Sequence, residues 1–202
     1  MSITTKVSTA LFVPQTVESA PENSRPILQN VKNAFGFIPN LMATFANNPS
    51  VLEGYLALDG VFEKGSFKPV ERQLILLAAS VENRCNYCIA AHSTIAKGFL
   101  HAAPETVSAI RNSDPVADEK ASTLVNLTRE IVRERGFVKQ ATVKAFLSAG
   151  YRKDQVMELL LGVALKTISN YLDHIFTNPP GSSLRSRKSW LKAEQAAPEG
   201  PA

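Results

Sequence analysis

Residues 154–176 limit the possible folds more than any other part of the chain. Val156, Met157, Leu159, Leu160, Leu161, Val163, Ala164, Leu165, Ile168, Tyr171, Leu172 and Ile175 recur so that apolar side chains nearly encircle a helical axis. A helix hydrophobic on most sides has to be covered, inside a core or at a subunit interface. Runs of helical period precede it, each opened or closed by proline or glycine. Ser24 and Pro26 read as a cap and a first-turn proline, predicting a helix to about Phe35 that Gly36 and Pro39 break. Asn48 and Pro49 open a second run, with Val51, Leu52, Tyr55, Leu58 and Phe62 at helical spacing until Gly65. Pro69 starts a third, with Leu74, Leu77, Ala78 and Val81 on one face and Glu71, Arg72 and Gln73 in its first turn. A fourth covers about 85–98. Pro104 begins a short helix and Asp114–Pro115 a longer one through Arg135, while Gly136 and Gly150 bound a stretch holding Val143, Phe146 and Leu147. With no hairpin signal and no alternation of strand and helix patterns, the predicted fold class is all-α.

At 202 residues the chain can bury a real core but has little to spare for two independent domains. The expected organisation is an arm over 1–23, which contains Pro14 and Pro21, one helical domain over 24–180, and a flexible basic tail over 181–202. A hydrophobic share of 45% excludes wholesale disorder. The longest apolar runs, such as 74–79, fall far short of the roughly 20 residues a bilayer span needs. The N-terminal stretch has no continuous apolar segment of signal-peptide length, so a cytoplasmic location is expected, with no membrane partner. The net charge of +4 gives little support to nucleic-acid binding: Arg185, Arg187, Lys188 and Lys192 against Glu194 and Glu199 put half of it in the tail.

The two cysteines of the chain, Cys85 and Cys88, are three residues apart. Linking them closes almost no loop, so stability is a poor reason for the pair. In Glu82-Asn-Arg-Cys85-Asn-Tyr-Cys88-Ile-Ala-Ala-His92 the spacings i, i+3 and i+7 put both sulfurs and His92 along one stripe of a helix. A nucleophilic cysteine must be a thiolate, and a reference pKa of about 8.5 leaves few per cent ionised at neutral pH. His92, one turn beyond Cys88, is placed to accept the proton, and the helix N-terminus favours the anion. Cys85 is within reach to capture an oxidised Cys88 as an internal disulfide, the logic of a two-cysteine redox centre. Other readings stay open. Zinc would need a fourth ligand beyond this trio, from His101 or His174. A thioredoxin-type centre would need a βαβ context the pattern lacks, and ordinary burial of Cys88 and His92 remains possible on composition alone.

The segment Glu71-Arg72-Gln73 through Cys85-x-x-Cys88-x-x-x-His92 resembles the core of the AhpD-like alkylhydroperoxidases within the carboxymuconolactone decarboxylase superfamily. The motif covers about 22 residues, and the helical pattern extends the likeness over roughly 24–180. The resemblance implies an all-helical homo-oligomer in which Cys88 attacks peroxide, Cys85 resolves it and His92 belongs to the proton relay. It implies a hydroperoxide substrate, no bound cofactor, and a dithiol reductant such as a lipoyl-bearing protein or small thiol carrier. The family places a Glu twelve positions before the first cysteine; here that position is Gln73. An amide orients by hydrogen bonding but does not shuttle a proton at neutral pH, so Glu71 or Glu82 would have to substitute, or turnover weakens. Glu82 would share the face of Cys85 if the helix begins early; the alternative is a solvated charge in the interhelix turn, and Glu71 reads as a first-turn charge.

Thr167, Asn170 and His174 form a polar stripe on the last helix, and the resemblance makes His174 a pocket-lining group, against the alternative of a satisfied core or interface histidine. His101 reads as a helix-end dipole partner, Tyr87 as a packing group able to donate to a peroxide oxygen, and Trp190 as a tail residue. The expected activity is thus a thiol-dependent peroxidase. The alternatives are a lactone decarboxylase of the same superfamily, which needs acid and base groups rather than two thiols, and a redox-sensing or metal-holding helical oligomer without rapid turnover.

Overall fold

The structure, a computed structural model, describes residues 12–176. Trp190 and the basic tail lie outside the described residues, as does the start of the arm. Among the described residues the regular elements are helices, with no strand: α1 (Arg25–Phe35), α2 (Asn40–Phe45), α3 (Pro49–Glu63), α4 (Pro69–Glu82), α5 (Asn86–Gly98), α6 (Pro104–Asn112), α7 (Glu119–Arg133), α8 (Gln140–Ser148) and α9 (Lys153–Phe176). Prolines occupy the first turn of α1, α4 and α6, where a missing N–H costs nothing. Gly36, at a φ of 73°, closes α1 in the left-handed region that glycine adopts without strain.

Two boundaries differ from the sequence expectation. α2 fills a stretch read as a break: after Pro39 the residues Leu41 to Phe45 are all buried, and that burial sustains a helix too short to stand on propensity. The helix expected to begin at Asp114–Pro115 begins instead at Glu119. There the Asp118 carboxylate accepts the N–H of Ala121 at 2.7 Å and caps the first turn.

The chain divides into two compact units, which within the described residues comprise 12–56 with 172–176, and 57–171. In the first, the Gln15 N–H donates to the Ala43 carbonyl at 2.9 Å, and the rings of Phe45 and Tyr55 meet edge to face at 5.0 Å. The second is built around α4, whose residues from Gln73 to Ser80 are all buried. α5, α6 and α7 pack on it. α9 reaches it through Gly162, where a Cβ would stand 2.8 Å from Ile75 Cγ2 and from Phe62 Cζ, so only glycine allows this approach. Glu158 of α9 ties down the turn before α4, accepting from the Ser66 hydroxyl at 2.6 Å and the Phe67 N–H at 3.1 Å. Full burial of Leu77, Leu124, Leu127 and Leu159 adds roughly 1.5–3 kcal/mol each.

Candidate active site

The turn from α4 to α5 sets the sulfurs. Asn83 and Arg84 send their N–H groups back to Ala79 and Val81, and Arg84 takes a φ of 58°, an uncommon conformation for a residue with a Cβ. The Cys85 N–H then donates to the Ser80 carbonyl at 3.0 Å. The turn is moored to α9: the Asn83 amide donates to Asn170 Oδ1 at 3.1 Å, and the Asn170 amide to Ser80 Oγ at 3.5 Å. Cys85 is therefore the extended N-cap residue of α5 and not its first helical residue. Cys88 lies in the first turn, where the positive end of the helix favours a thiolate. Both side chains are buried, at 0% and 2% exposure, and neither is in a disulfide.

One turn along α5, His92 has both ring nitrogens engaged. Its Nδ1 is 2.9 Å from Gln73 Oε1, and its Nε2 is 2.7 Å from Lys166 Nζ. Gln73 and Lys166 are themselves buried, at 8% and 1% exposure. Burial, and then the charge of Lys166, hold the His92 ring well below the usual histidine pKa, so it is neutral at physiological pH. The same lysine acts on Asp59 of α3. Burial pushes the Asp59 carboxyl up to about 6; the charge of Glu63 adds to that, and Lys166 works against it.

Gln73, Cys85, Cys88 and His92, four of the residues picked out in the sequence, thus fall within one unit on adjoining elements α4 and α5, and Gln73 holds the ring as a positioned amide. Glu82 is engaged elsewhere. α5 begins too late to bring it onto the face of Cys85; its buried carboxylate instead receives Nε and an Nη of Arg133 at 2.5 and 2.8 Å, with Arg129 at 3.6 Å. Glu71 is a first-turn residue, accepting the Lys68 N–H at 2.9 Å and the Tyr151 hydroxyl at 3.1 Å. His174 is exposed in the last turn of α9 and belongs to the other unit, and His101 is exposed after α5. Among the described residues no group of three or more His, Cys, Asp and Glu side chains is arranged to hold a metal ion.

Lys166 is the residue that sequence reasoning missed. Of the polar stripe read as Thr167, Asn170 and His174, only Asn170 is buried; the buried polar residues of α9 are Gln155, Lys166, Ser169 and Asn170. The available signal was a lysine four residues beyond Gly162, on the face that glycine marks as closest to α4.

The chain is similar to known proteins over this same region. The Carboxymuconolactone decarboxylase family model matches residues 49–130, which span Gln73, both cysteines and His92. No curated protein matches the sequence. Among solved structures, an uncharacterized peroxidase-related protein with an alkylhydroperoxidase AhpD core from Ralstonia eutropha JMP134 superposes with a TM-score of 0.72 at 20% identity, covering 87% of this chain and 95% of that one. A peroxidase-related protein from Silicibacter sp. TM1040 gives 0.64 at 18% identity, over 76% and 82%. The debrominase Bmp8 gives 0.70 at 16% identity, over 89% and 97%. At such identities the likeness is one of fold. Residues 49–130 thus resemble the carboxymuconolactone decarboxylase family, and the helical architecture as a whole is AhpD-like.

Proposed function

We propose that the protein is a cytoplasmic thiol-dependent peroxidase that reduces hydroperoxides in antioxidant defence. The observation that carries this reading is the pair of buried thiols at the start of α5 with a neutral, doubly anchored imidazole one turn away. The Cys88 thiolate attacks the terminal peroxide oxygen, the O–O bond breaks, and the alkoxide leaves and takes a proton to become the alcohol, or water from hydrogen peroxide. Cys88 is left as a sulfenic acid, two electrons more oxidised. The Cys85 thiol displaces its hydroxyl as water and forms the Cys85–Cys88 disulfide, which a dithiol reductant returns to two thiols. That reductant is a lipoyl-bearing protein or a small thiol carrier. His92 is the proton-handling group and Gln73 orients it, while His174, Glu82 and Glu71 stand outside the redox step.

The working form is a homo-oligomer. Met157, Leu161, Ala164, Ile168 and Tyr171 recur along α9 at alternating spacings of four and three, and Met157, Ile168 and Tyr171 are exposed. That is the period with which one helix packs against a copy of itself.

Titration of the reduced protein with cumene hydroperoxide, read by thiol counting and intact mass, tests the redox reading. The wild type is expected to lose two thiols and two mass units; Cys85→Ser is expected to stop at a sulfenic acid on Cys88, and Cys88→Ser to stay reduced. Thiols that persist at excess peroxide would refute it. Because a debrominase shares the fold, a brominated pyrrole belongs in the same assay as a competing substrate.

A further inference from the structure

A lysine with 1% exposure is costly unless something in the interior needs its charge or its hydrogens. Lys166 comes off the inward face of α9, and its Nζ ends 2.7 Å from His92 Nε2. An ammonium has three hydrogens to donate and no lone pair to accept with. Facing it, Nε2 must carry the bare lone pair, so the ring proton sits on Nδ1. Gln73 Oε1, 2.9 Å from Nδ1, is an acceptor and asks for that same proton. Two buried residues on different helices therefore specify one tautomer and one charge state of the imidazole. A second proton on the ring would place a donor against a donor, so His92 takes one up only if Lys166 gives one up.

We propose that Lys166 is the positioning residue of this redox centre: it shares a single proton with His92 Nε2, holding the ring as the neutral Nδ1–H tautomer and setting when it can exchange a proton with the thiols. The charge-bearing groups around the pair fit that role. α3 presents Asp59, the carboxyl electrostatically coupled to Lys166, and Glu63 acts on Asp59 in turn. α4 presents Gln73, which does not titrate, and α5 presents His92 with Cys85 and Cys88. Lys166 thus supplies a titrating partner on the relay where the amide of Gln73 cannot.

The consequence for turnover rests on the peroxidase reading, but the test needs no peroxide. Nitrogen-15 spectra of labelled histidine in the reduced wild type are expected to show His92 as a neutral Nδ1–H ring at neutral pH. Lys166→Met, close in volume and without a donor, is expected to introduce the Nε2–H tautomer and bring the ring's titration up by about one pH unit or more, a tenfold change in its proton affinity. Lys166→Arg, which keeps a charged donor, is expected to restore the wild-type tautomer. The pH profile of Cys88 alkylation by iodoacetamide should acquire a histidine inflection in Lys166→Met alone. A wild-type ring protonated on Nε2 would overturn the proposal without recourse to any variant. So would an unchanged ring titration in Lys166→Met, or an arginine variant that behaves like the methionine one. Should these hold while peroxide leaves the thiols reduced, the peroxidase reading falls and the role of Lys166 stands.

Discussion

Asp59 shows how much a single half-buried side chain can decide. Its carboxyl titrates near 6 in the folded protein, chiefly because burial disfavours the anion, whereas an unfolded chain releases that proton near 3.9. Between about pH 4 and 6 the folded state holds the proton longer, so this group's contribution to stability falls as pH rises through that window and stays low above it. Asp59→Asn is expected to be up to about 2–3 kcal/mol more stable than wild type at pH 7 and no more stable at pH 4, as measured by urea denaturation at the two pH values. Cys85, Cys88 and His92 were legible because their types are rare and their spacing is helical, whereas Gln73 could be named only through the family resemblance that points to its position. Lys166 and Asp59 could not. A lysine in an apolar run reads as a solvated charge, and only the packing of α9 on α4 turns this one inward. What Gln73 does was hidden for the same reason, since its acceptor role depends on a nitrogen nineteen residues away.

Helices were easier to read than their ends. Prolines and glycines marked the starts of α3, α4 and α6 and the close of α1, because those residues act through local backbone geometry. The sequence carries no local mark of α2, whose burial is a tertiary fact, and Pro115 suggests an earlier start for α7 than the capping carboxylate of Asp118 sets. The exposed face of α9 also qualifies the expectation that so apolar a helix is covered on all sides: Met157, Leu160, Ile168 and Tyr171 all reach solvent in the single chain. Its inner face is tightly specified. Gly162→Ala would press a methyl against Phe62 and Ile75, two side chains with no exposure, and is expected to cost about 1–3 kcal/mol, seen as a lower melting temperature in a thermal scan.

For the whole molecule, the all-α class followed from the lack of any strand pattern, and the AhpD-like architecture from a motif of about 22 residues. The grouping of 57–171 as a unit that holds every residue of the candidate site lay beyond sequence reading, since it depends on contacts between distant segments. Self-association through α9 predicts that Met157→Glu with Ile168→Glu lowers the mass measured by light scattering to that of one chain; an unchanged mass would place the interface elsewhere. No helix among the described residues is long and apolar enough to cross a membrane. The burial of both sulfurs, finally, bears on how electrons arrive. A disulfide at the start of α5 would be as concealed as the thiols it replaces, and a broad, rigid protein face cannot bring its own sulfur below the surface it rests on. On the proposed peroxidase reading the donor would be slender, a thiol at the end of a swinging arm or a free small molecule, and reach would be the filter that keeps bulky protein thiols and disulfides from draining the centre.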